Sequence, residues 1–180
     1  MPRNKPQQGA DEKKAEILEA ARKLFLDAGY EATSITAIAT AAGVAPNTIY
    51  WYFKDKDELL LAVLDQLLQE NLAEFMSVIG RPISEQLLWL VKKLRGFSRL
   101  ISTVHTRIHE SNTLNQWHSQ FHITVEQLFR QQLQQQVTGE SISVEGRIAA
   151  YTIEGLVTHD IEENAAQLTC EALASRWVKP

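Results

Sequence analysis

The sequence contains a single cysteine, and this scarcity excludes two kinds of site. Cys170 alone cannot form an intramolecular disulfide or complete a zinc site built from several cysteines. Long apolar runs are also missing, since the longest is Leu59–Leu64 and a membrane helix needs roughly 20 apolar residues. The N-terminus lacks the apolar stretch of a signal peptide. We therefore expect a cytoplasmic protein without membrane association.

Basic charge is not in excess over the chain as a whole. The 18 Lys and Arg residues face 22 Asp and Glu residues, which gives a formal net charge of −4. A protein coated in positive charge is excluded, so any DNA contact must come from a local surface. Residues 1–10 are a local exception, because they carry Arg3 and Lys5 and no acid. We expect this arm to be disordered when free and to lie along bound DNA, with an inert tail as the alternative.

Strand signals are nearly absent, because no alternating β-branched run is flanked by Asn-Gly or Asp-Gly turns. Apolar residues recur at helical spacing instead. They predict a helix ending near Gly29, a short helix capped by Thr33, a third opened by Pro46 and a fourth from Lys56 to about Ile79. Five more are predicted at about 83–95, 97–110, 114–137, 144–161 and 164–178. The sequence thus predicts an all-α fold of about nine helices, divided into domains at residues 10–56 and 57–180.

The fourth helix has signals at both ends. Asp55 and Glu58 have the spacing of a capping box, in which each side chain binds a backbone N–H near the other. Gly80-Arg81-Pro82 then breaks the helix. No proline or glycine lies between these signals, so we expect a rigid helix that transmits movement from one domain to the other.

The second and third helices have the plan of a helix-turn-helix. Both are short, they are joined by a turn that contains Gly43, and an amphipathic helix precedes them. In the third helix, Ile49 and Phe53 are four residues apart and can both pack inward. The aromatic residues 50–52 are consecutive, so they cannot all face one side of a helix. Core packing alone therefore does not account for this segment, which predicts an exposed aromatic face for the major groove.

Fixed positions between residues 12 and 65 repeat a known pattern. They are Ile17, Leu18, Ala21, Leu24, Phe25, Gly29, Tyr30, Thr33, Ser34, Ile35, Ile38, Ala39, Ala42, Gly43, Val44 and residues 48–56. In these positions the sequence resembles the tetracycline-repressor (TetR) family. The resemblance implies a three-helix DNA-binding domain in which Asn47, Thr48, Tyr50 and Trp51 face bases. It also implies that Thr33, Ser34, Tyr52 and Lys56 hold phosphates.

Two departures from the family pattern lie at the start of the third helix. Ala45 stands where the family often has serine, so the helix loses a side-chain cap, and Pro46 partly compensates. Pro46 and Asn47 also replace a common Lys-Gly pair. Asn47 suits an adenine edge, and Tyr50 and Trp51 suit thymine methyl groups or sugar edges. The departures leave the sequence specificity open.

Beyond about residue 80 the resemblance implies architecture only: a helical bundle that binds a ligand and dimerises through its last two helices. We expect Leu156, Leu168 and Trp177 in the dimer interface, with closure of the monomer core as the alternative. The middle helices carry aromatic residues that suit a pocket for an apolar or aromatic ligand. The candidates are Trp89, Phe97, His105, Trp117 and Phe121, and core packing explains each of them equally well.

Four of the five histidines form two pairs with H-x-x-x-H spacing, His105/His109 and His118/His122. This spacing puts both imidazoles of a pair on one helix face, as metal chelation requires. Glu110 is the only carboxylate nearby in sequence. We expect histidines that flank an apolar face and bind no metal, with a metal site as the alternative.

The sequence therefore predicts a homodimeric transcription regulator, most directly a repressor that a small apolar or aromatic ligand releases from a palindromic operator. No cofactor is expected. An enzyme is disfavoured because the Glu-x-x-His repeats of di-metal bundles, a glycine-rich phosphate loop and a nucleophile elbow are all missing. The alternative is a helical ligand- or metal-binding protein, or an adaptor, without specific DNA binding.

Overall fold

Nine α-helices form the part of the chain that the computed structural model describes, namely residues 5–133 and 141–177 with the side chains of 9–131 and 143–177. In chain order they are α1 (Lys5–Ala28), α2 (Ile35–Ala41), α3 (Pro46–Tyr52), α4 (Lys56–Phe75), α5 (Ile83–Arg95), α6 (Ser98–Arg107), α7 (Asn112–Leu133), α8 (Ser141–Thr158) and α9 (Glu163–Ser175). These residues contain no strand, which confirms the predicted class. Arg3 and the Lys5 side chain lie outside the described residues, although α1 begins at Lys5.

The first three helices pack into an N-terminal unit that α4 closes. Ile17, Ala21 and Phe25 on α1 have no exposed surface, as their spacing predicted. Ile38 on α2 and Ile49 on α3 are also fully buried. Burial of one such large apolar side chain contributes roughly 1.5–3 kcal/mol. Tertiary packing therefore stabilises α2 and α3, which are too short to be stable alone.

The turn between α2 and α3 depends on Gly43. Its φ is 64°, in the left-handed region where glycine meets no steric cost. The Gly43 N–H donates to the Thr40 carbonyl at 3.2 Å, and the Val44 N–H donates to the Ala39 carbonyl at 2.9 Å. These are the two hydrogen bonds of a Schellman motif. The motif ends α2 and sets the direction in which the chain enters α3.

Ser34, and not Thr33, caps α2. The Ser34 hydroxyl accepts a hydrogen bond from the Ala37 N–H at 3.0 Å. The Thr33 side chain is only 3% exposed, and its hydroxyl donates to the Gly29 carbonyl at 2.8 Å. The predicted cap at Thr33 was wrong because this hydroxyl turns inward and satisfies the end of α1 instead.

The Asp55 cap of α4 is confirmed, although Glu58 reaches back to the N–H one residue before that cap, and the predicted end of the helix was wrong. Asp55 Oδ1 accepts from the Glu58 N–H at 2.8 Å, and the Glu58 carboxylate accepts from the Lys54 N–H at 2.5 Å. The helix ends at Phe75, short of Ile79. The chain tightens there because the Val78 N–H donates to the Phe75 carbonyl at 2.9 Å and the Val78 side chain is buried.

In the C-terminal part, α8 packs against α5, α6 and α7, and α9 packs against α5. No helix in the described ranges combines the length and apolar character needed to cross a bilayer. The core is continuous between the two parts, because α4 contributes to both. The division at residues 56 and 57 therefore stays a prediction.

Two residues predicted in the dimer interface are covered by the chain itself. Leu156 is 6% exposed and Trp177 is 1% exposed, and the Trp177 indole donates to Glu145 at 3.0 Å. This burial does not favour their assignment to the interface, which stays a prediction. The helical period does not separate the side of a stripe that faces the monomer core from the side that faces outward. Leu168, at 56% exposed, remains available.

Asp57, in the first turn of α4, joins three parts of the chain. Its carboxylate accepts a hydrogen bond from the Tyr30 hydroxyl in the α1–α2 loop. Arg107, at the end of α6, donates to it through Nε at 3.3 Å and through Nη2 at 3.5 Å. Burial raises the pKa of Asp57, but the hydrogen bonds from Tyr30, Ser111 and Arg107 outweigh burial and hold this pKa below its usual value.

Replacing Asp57 with Asn is expected to lower the free energy of unfolding by about 1–3 kcal/mol at pH 7, because buried donors lose a charged acceptor. A depressed pKa stabilises the fold above the unfolded value of about 3.9 and is lost as the pH falls through the folded value. The difference from the wild type should therefore shrink below about pH 4. Urea titrations at a fixed protein concentration measure it.

The matched control is Asp27→Asn, which changes an exposed carboxylate on α1. It should alter stability by less than about 0.5 kcal/mol. Equal stability of Asp57→Asn and the wild type at pH 7 would contradict the joining role of Asp57.

Candidate nucleic-acid interface and histidine cluster

The two faces of α3 have opposite environments. Ile49 and the adjoining Phe53 are buried and fix the inner face. On the outer face Tyr50 is 54% exposed and Trp51 is 87% exposed, and Pro46 and Asn47 are exposed as well. Thr48 is half-buried. The exposure predicted for the consecutive aromatic residues is thus present.

Three of the residues predicted to face bases share one surface. Asn47, Tyr50 and Trp51 line an open cleft of about 530 Å³. Asn47 presents an amide, and Tyr50 a hydroxyl, beside the apolar indole of Trp51. An amide suits a base edge, and an aromatic ring suits the thymine methyl group. Base contact by these residues stays a prediction, and the geometry permits it.

The four residues predicted to hold phosphates differ in how accessible they are. Ser34 is exposed and accepts from Ala37, so its own O–H is free to donate. Tyr52 is half-buried. Thr33 is buried and its hydroxyl donates to the Gly29 carbonyl, so its geometry does not favour the phosphate contact, which stays a prediction.

Lys56 also stabilises the fold, a role that the sequence did not predict. Its ammonium donates to the carbonyls of Tyr30 at 2.8 Å and Thr33 at 3.0 Å, and it lies 3.9 Å from the centre of the Tyr30 ring. Burial lowers the pKa of this ammonium. One of its three N–H donors remains for a phosphate. Lys56 therefore ties the α1–α2 loop to α4 before any DNA is present.

The residues predicted to line a ligand pocket fall into two places. Phe97 is buried in the core, and Trp89 packs against Phe75 with ring centres 5.7 Å apart. The rings of Trp117 and Phe121 are nearly parallel, with centres 5.4 Å apart. His105 contacts His118, which lies next to Trp117 in the sequence. A second open cleft, of about 860 Å³, lies between α1 and the α2–α3 turn, away from all of them. The ligand pocket stays a prediction. Of the five residues predicted to line it, only His105, Trp117 and Phe121 lie in the same region of the structure.

Three histidines surround one carboxylate at the junction of α6, α7 and α8. Glu154 Oε1 lies 2.5 Å from His105 Nε2 and 3.7 Å from His118 Nε2. Its Oε2 lies 3.4 Å from His122 Nε2, and the Nε2 atoms of His118 and His122 are 3.1 Å apart. All four side chains are half-buried. The pair His118/His122 is therefore confirmed as neighbours on one helix face.

The pair His105/His109 is not a pair in space. The helix that carries His105 ends at Arg107, so His109 lies beyond it and is exposed. Glu110 accepts from Arg107 at 3.3 Å and does not belong to the histidine cluster. The H-x-x-x-H spacing was misleading here because the helix does not continue far enough to align the two rings.

Glu154 was missed in the sequence because it is far from the histidines along the chain. Burial works against its charge, but hydrogen bonds from His105 and His122 hold the pKa of Glu154 well below its usual range. The sequence did contain one indication of Glu154, because Glu145 and Glu154 are the only acidic residues on the otherwise largely apolar helix α8. Glu145 accepts from Arg176 and Trp177, so both acids on this helix have partners from other elements.

Residues 17–63 match the family model for bacterial regulatory proteins of the tetR family. The matched segment contains all of α2 and α3 and the start of α4, which carry the exposed aromatic face and the loop that Lys56 and Asp57 hold. Over this segment the chain is similar to bacterial regulatory proteins of the tetR family.

Part of the chain is also similar to curated HTH-type transcriptional regulators. The regulator AcrR of Shigella flexneri is 41% identical over 70 residues, which are 39% of this chain and 32% of AcrR. The regulator TtgR of Pseudomonas putida is 45% identical over 58 residues, which are 32% of this chain and 28% of TtgR. The matches thus span about a third of these relatives or less.

The fold of the whole chain is also found among solved structures. A transcriptional regulator from Rhodococcus sp. Rha1 superposes with a TM-score of 0.76 over 93% of this chain and 99% of its own, at 17% sequence identity. At this identity the likeness shows the fold alone. The C-terminal helices therefore follow a tetR-like architecture, while their side chains have to be interpreted from this sequence.

Alanine at Asn47 or at Trp51 is expected to relax discrimination between operator and unrelated DNA by roughly 1–3 kcal/mol per lost base contact. Both side chains are exposed, so the melting temperature should stay unchanged. Fluorescence anisotropy with specific and scrambled duplexes at one salt concentration measures the ratio.

Ile49→Ala provides the contrast, because it removes a fully buried side chain from the inner face of α3. It should lower stability by roughly 2–5 kcal/mol. If Asn47→Ala and Trp51→Ala both keep the wild-type discrimination, the assignment of the outer face to DNA is wrong.

Proposed function

We propose that the chain is a cytoplasmic, homodimeric transcription regulator that binds a palindromic operator and changes its DNA affinity when a small effector binds to the C-terminal helices. The exposure of Trp51 on the outer face of α3, beside Asn47 and Tyr50, carries this proposal. Trp51, at 87% exposed, and Tyr50, at 54%, form a contiguous aromatic patch, and exposed apolar patches of this kind mark interaction sites. The tetR-family domain around it supports DNA as that partner.

Two copies of α3 are needed for tight and specific binding. One helix in a major groove reaches only a few base edges, and specific complexes bury far more surface than one such helix offers. A two-fold dimer places its recognition helices roughly 34–36 Å apart, one turn of the duplex. A symmetric pair of this kind reads a near-palindromic site.

The outward faces of α8 and α9 offer a surface for such a dimer. Val144 and Tyr151 on α8 are exposed and lie two turns apart. On α9, Ala165, Leu168 and Ala172 are exposed on one face. Large apolar residues beside small ones suit close packing of helices against those of a second copy. Of the residues that the sequence placed in the interface, only Leu168 belongs to this surface.

A route for the effector response runs through α6. Arg107 ends this helix and holds Asp57 at the start of α4, next to the loop that leads into α2. The helices α6, α7 and α8 meet near the stacked rings of Trp117 and Phe121, which suit an aromatic ligand. A ligand shifts DNA affinity only by its differential affinity for two states of the protein. About 1.4 kcal/mol of difference gives a tenfold loss of operator binding, as a repressor released by its ligand requires.

We propose a regulator and not an enzyme, in line with the relatives of the N-terminal domain. Cys170 is buried, and burial raises the pKa of its thiol to about 11. The thiol is thus protonated at neutral pH and is a poor nucleophile.

A gel-shift experiment with fragments of the source genome tests the proposal. The purified chain should retain a small set of fragments at a salt concentration that removes non-specific binding, and Trp51→Ala should retain none of them selectively. Uniform binding to all fragments, or none, would favour a helical ligand-binding protein or an adaptor without specific DNA binding.

Leu168→Arg is expected to give monomers and to weaken operator binding, because it places an unpaired charge in the proposed interface. Sedimentation velocity measures the change. Met76→Arg is the matched control: Met76 is equally exposed but lies in the α4–α5 connection, so this variant should stay dimeric.

Leu156→Arg should behave differently from both variants. It buries a charge inside the monomer and should reduce the folded fraction, as far-UV circular dichroism would record. A dimeric Leu168→Arg variant would move the interface away from α9.

A further inference from the structure

The histidine cluster, defined as His105, His118, His122 and Glu154, brings together four ligating groups from three helices. His105 lies on α6, His118 and His122 lie one turn apart on α7, and Glu154 lies on α8. One ligand atom from each of His105, His118 and Glu154 lies within 4.8 Å of the other two. His122 Nε2 is 3.1 Å from His118 Nε2 and 3.4 Å from Glu154 Oε2.

We propose that the histidine cluster is a binding site for a divalent first-row transition-metal ion of the zinc class. Imidazole nitrogens suit Zn²⁺, Cu²⁺ and Ni²⁺, and three nitrogens with one carboxylate oxygen are a common ligand set for zinc. Mg²⁺ and Ca²⁺ prefer oxygen ligands and are not expected here.

The separations fit a single ion. With metal–ligand distances of about 2.0–2.1 Å, neighbouring ligand atoms of a tetrahedral site lie about 3.3 Å apart. The four measured separations are 2.5, 3.1, 3.4 and 3.7 Å, on both sides of that value. His105, His118 and Glu154 are therefore within reach of one metal ion. His122 lies beside His118 and is a fourth candidate ligand.

The histidine cluster also contains more imidazole nitrogens than its single carboxylate can pair with. Three imidazoles share one carboxylate, which cannot pair with three protonated rings without strong repulsion between them. The Nε2 atoms of His118 and His122 face each other at 3.1 Å, so these two atoms can share one proton at most and at least one lone pair remains for a metal. A divalent ion would satisfy the three nitrogens and Glu154 together, and it would replace repulsion between rings by shared coordination.

Two aromatic rings lie beside the histidine cluster. In addition, α6 connects the cluster to the N-terminal domain. The rings of Phe121 and Tyr151 lie 5.8 and 5.5 Å from that of His122. On α6, His105 precedes Arg107 by half a turn, and Arg107 holds Asp57. If the proposed function holds, on which this step rests, a metal ion that draws α6, α7 and α8 together will also change operator affinity.

Zinc binding to the chelator-treated full-length chain tests the site. Competition with a chromophoric chelator should give one Zn²⁺ per chain, and Co²⁺ should give the intense visible bands of a four-coordinate site. His118→Ala and Glu154→Gln should each weaken Zn²⁺ by at least about 100-fold, since even outer-shell changes cost 10–100-fold. His109→Ala, which removes an exposed histidine outside the cluster, should bind like the wild type. Mg²⁺ should not compete.

Far-UV circular dichroism of each variant checks that loss of zinc does not reflect loss of fold, and His105→Ala gives a third ligand change on another helix. Wild-type affinity in folded His118→Ala and Glu154→Gln, or equal loss in His109→Ala, would overturn the site.

Operator binding with and without saturating Zn²⁺ then separates the two proposals. We expect zinc to change the affinity of the wild type by at least about fivefold and to leave Glu154→Gln unchanged. Stoichiometric zinc without operator binding in either condition would refute the proposed function and keep the site. Operator binding without stoichiometric zinc would refute the site and keep the function. Zinc and operator binding without coupling would overturn the regulatory step.

Discussion

The position of the DNA-binding domain depends on two adjacent charges of opposite sign at the start of α4. The Asp57 carboxylate accepts hydrogen bonds from Tyr30 and Arg107, and the Lys56 ammonium donates to the carbonyls of Tyr30 and Thr33. Both interactions hold the same α1–α2 loop, so the start of α2 and the start of α4 move together. The groups are partly buried, where each charge has to be paired to avoid its desolvation cost. The contact between the two parts of the chain is therefore electrostatic where Arg107 meets Asp57, and Trp117 on α7 adds a hydrogen bond to Asp65 on α4 at 2.8 Å.

The local part of this architecture could be predicted from the sequence. The spacing of Ile17, Ala21 and Phe25 identified the buried face of α1, and Ile49 with three consecutive aromatic residues identified both faces of α3. Such inferences succeed because a helix repeats every 3.6 residues and its neighbours in space are its neighbours in sequence. The errors at Thr33 and Ile79 concern helix ends, where one hydrogen bond or one buried side chain decides between two nearby alternatives.

The candidate sites beyond α4 could be predicted only in part, because they are assembled from distant segments. Periodicity identified the stripes on α8 and α9, yet it could not show that Leu156 and Trp177 face the chain's own core while Leu168 faces outward. Likewise, His118 and His122 were paired by spacing, whereas Glu154 joins them only through the packing of α8 on α7. Which side of a helix meets which neighbour is a tertiary property that a single sequence does not contain.

The exposed surfaces of α3 and α9 are linked by one energetic requirement. A single α3 offers few base contacts, so its exposed aromatic residues become useful only when a second copy reads the other half of the operator. The proposed dimer face on α8 and α9 would supply that second copy, and the packing of α8 on α7 and of α7 on α4 connects this face to α4. Asp57 and Arg107 lie on the path between these surfaces. The histidine cluster contacts the same path through α6, half a turn before Arg107. Under the proposed function, a small change in the arrangement of α6, α7 and α8 would therefore alter the spacing of the two recognition helices and with it the operator affinity.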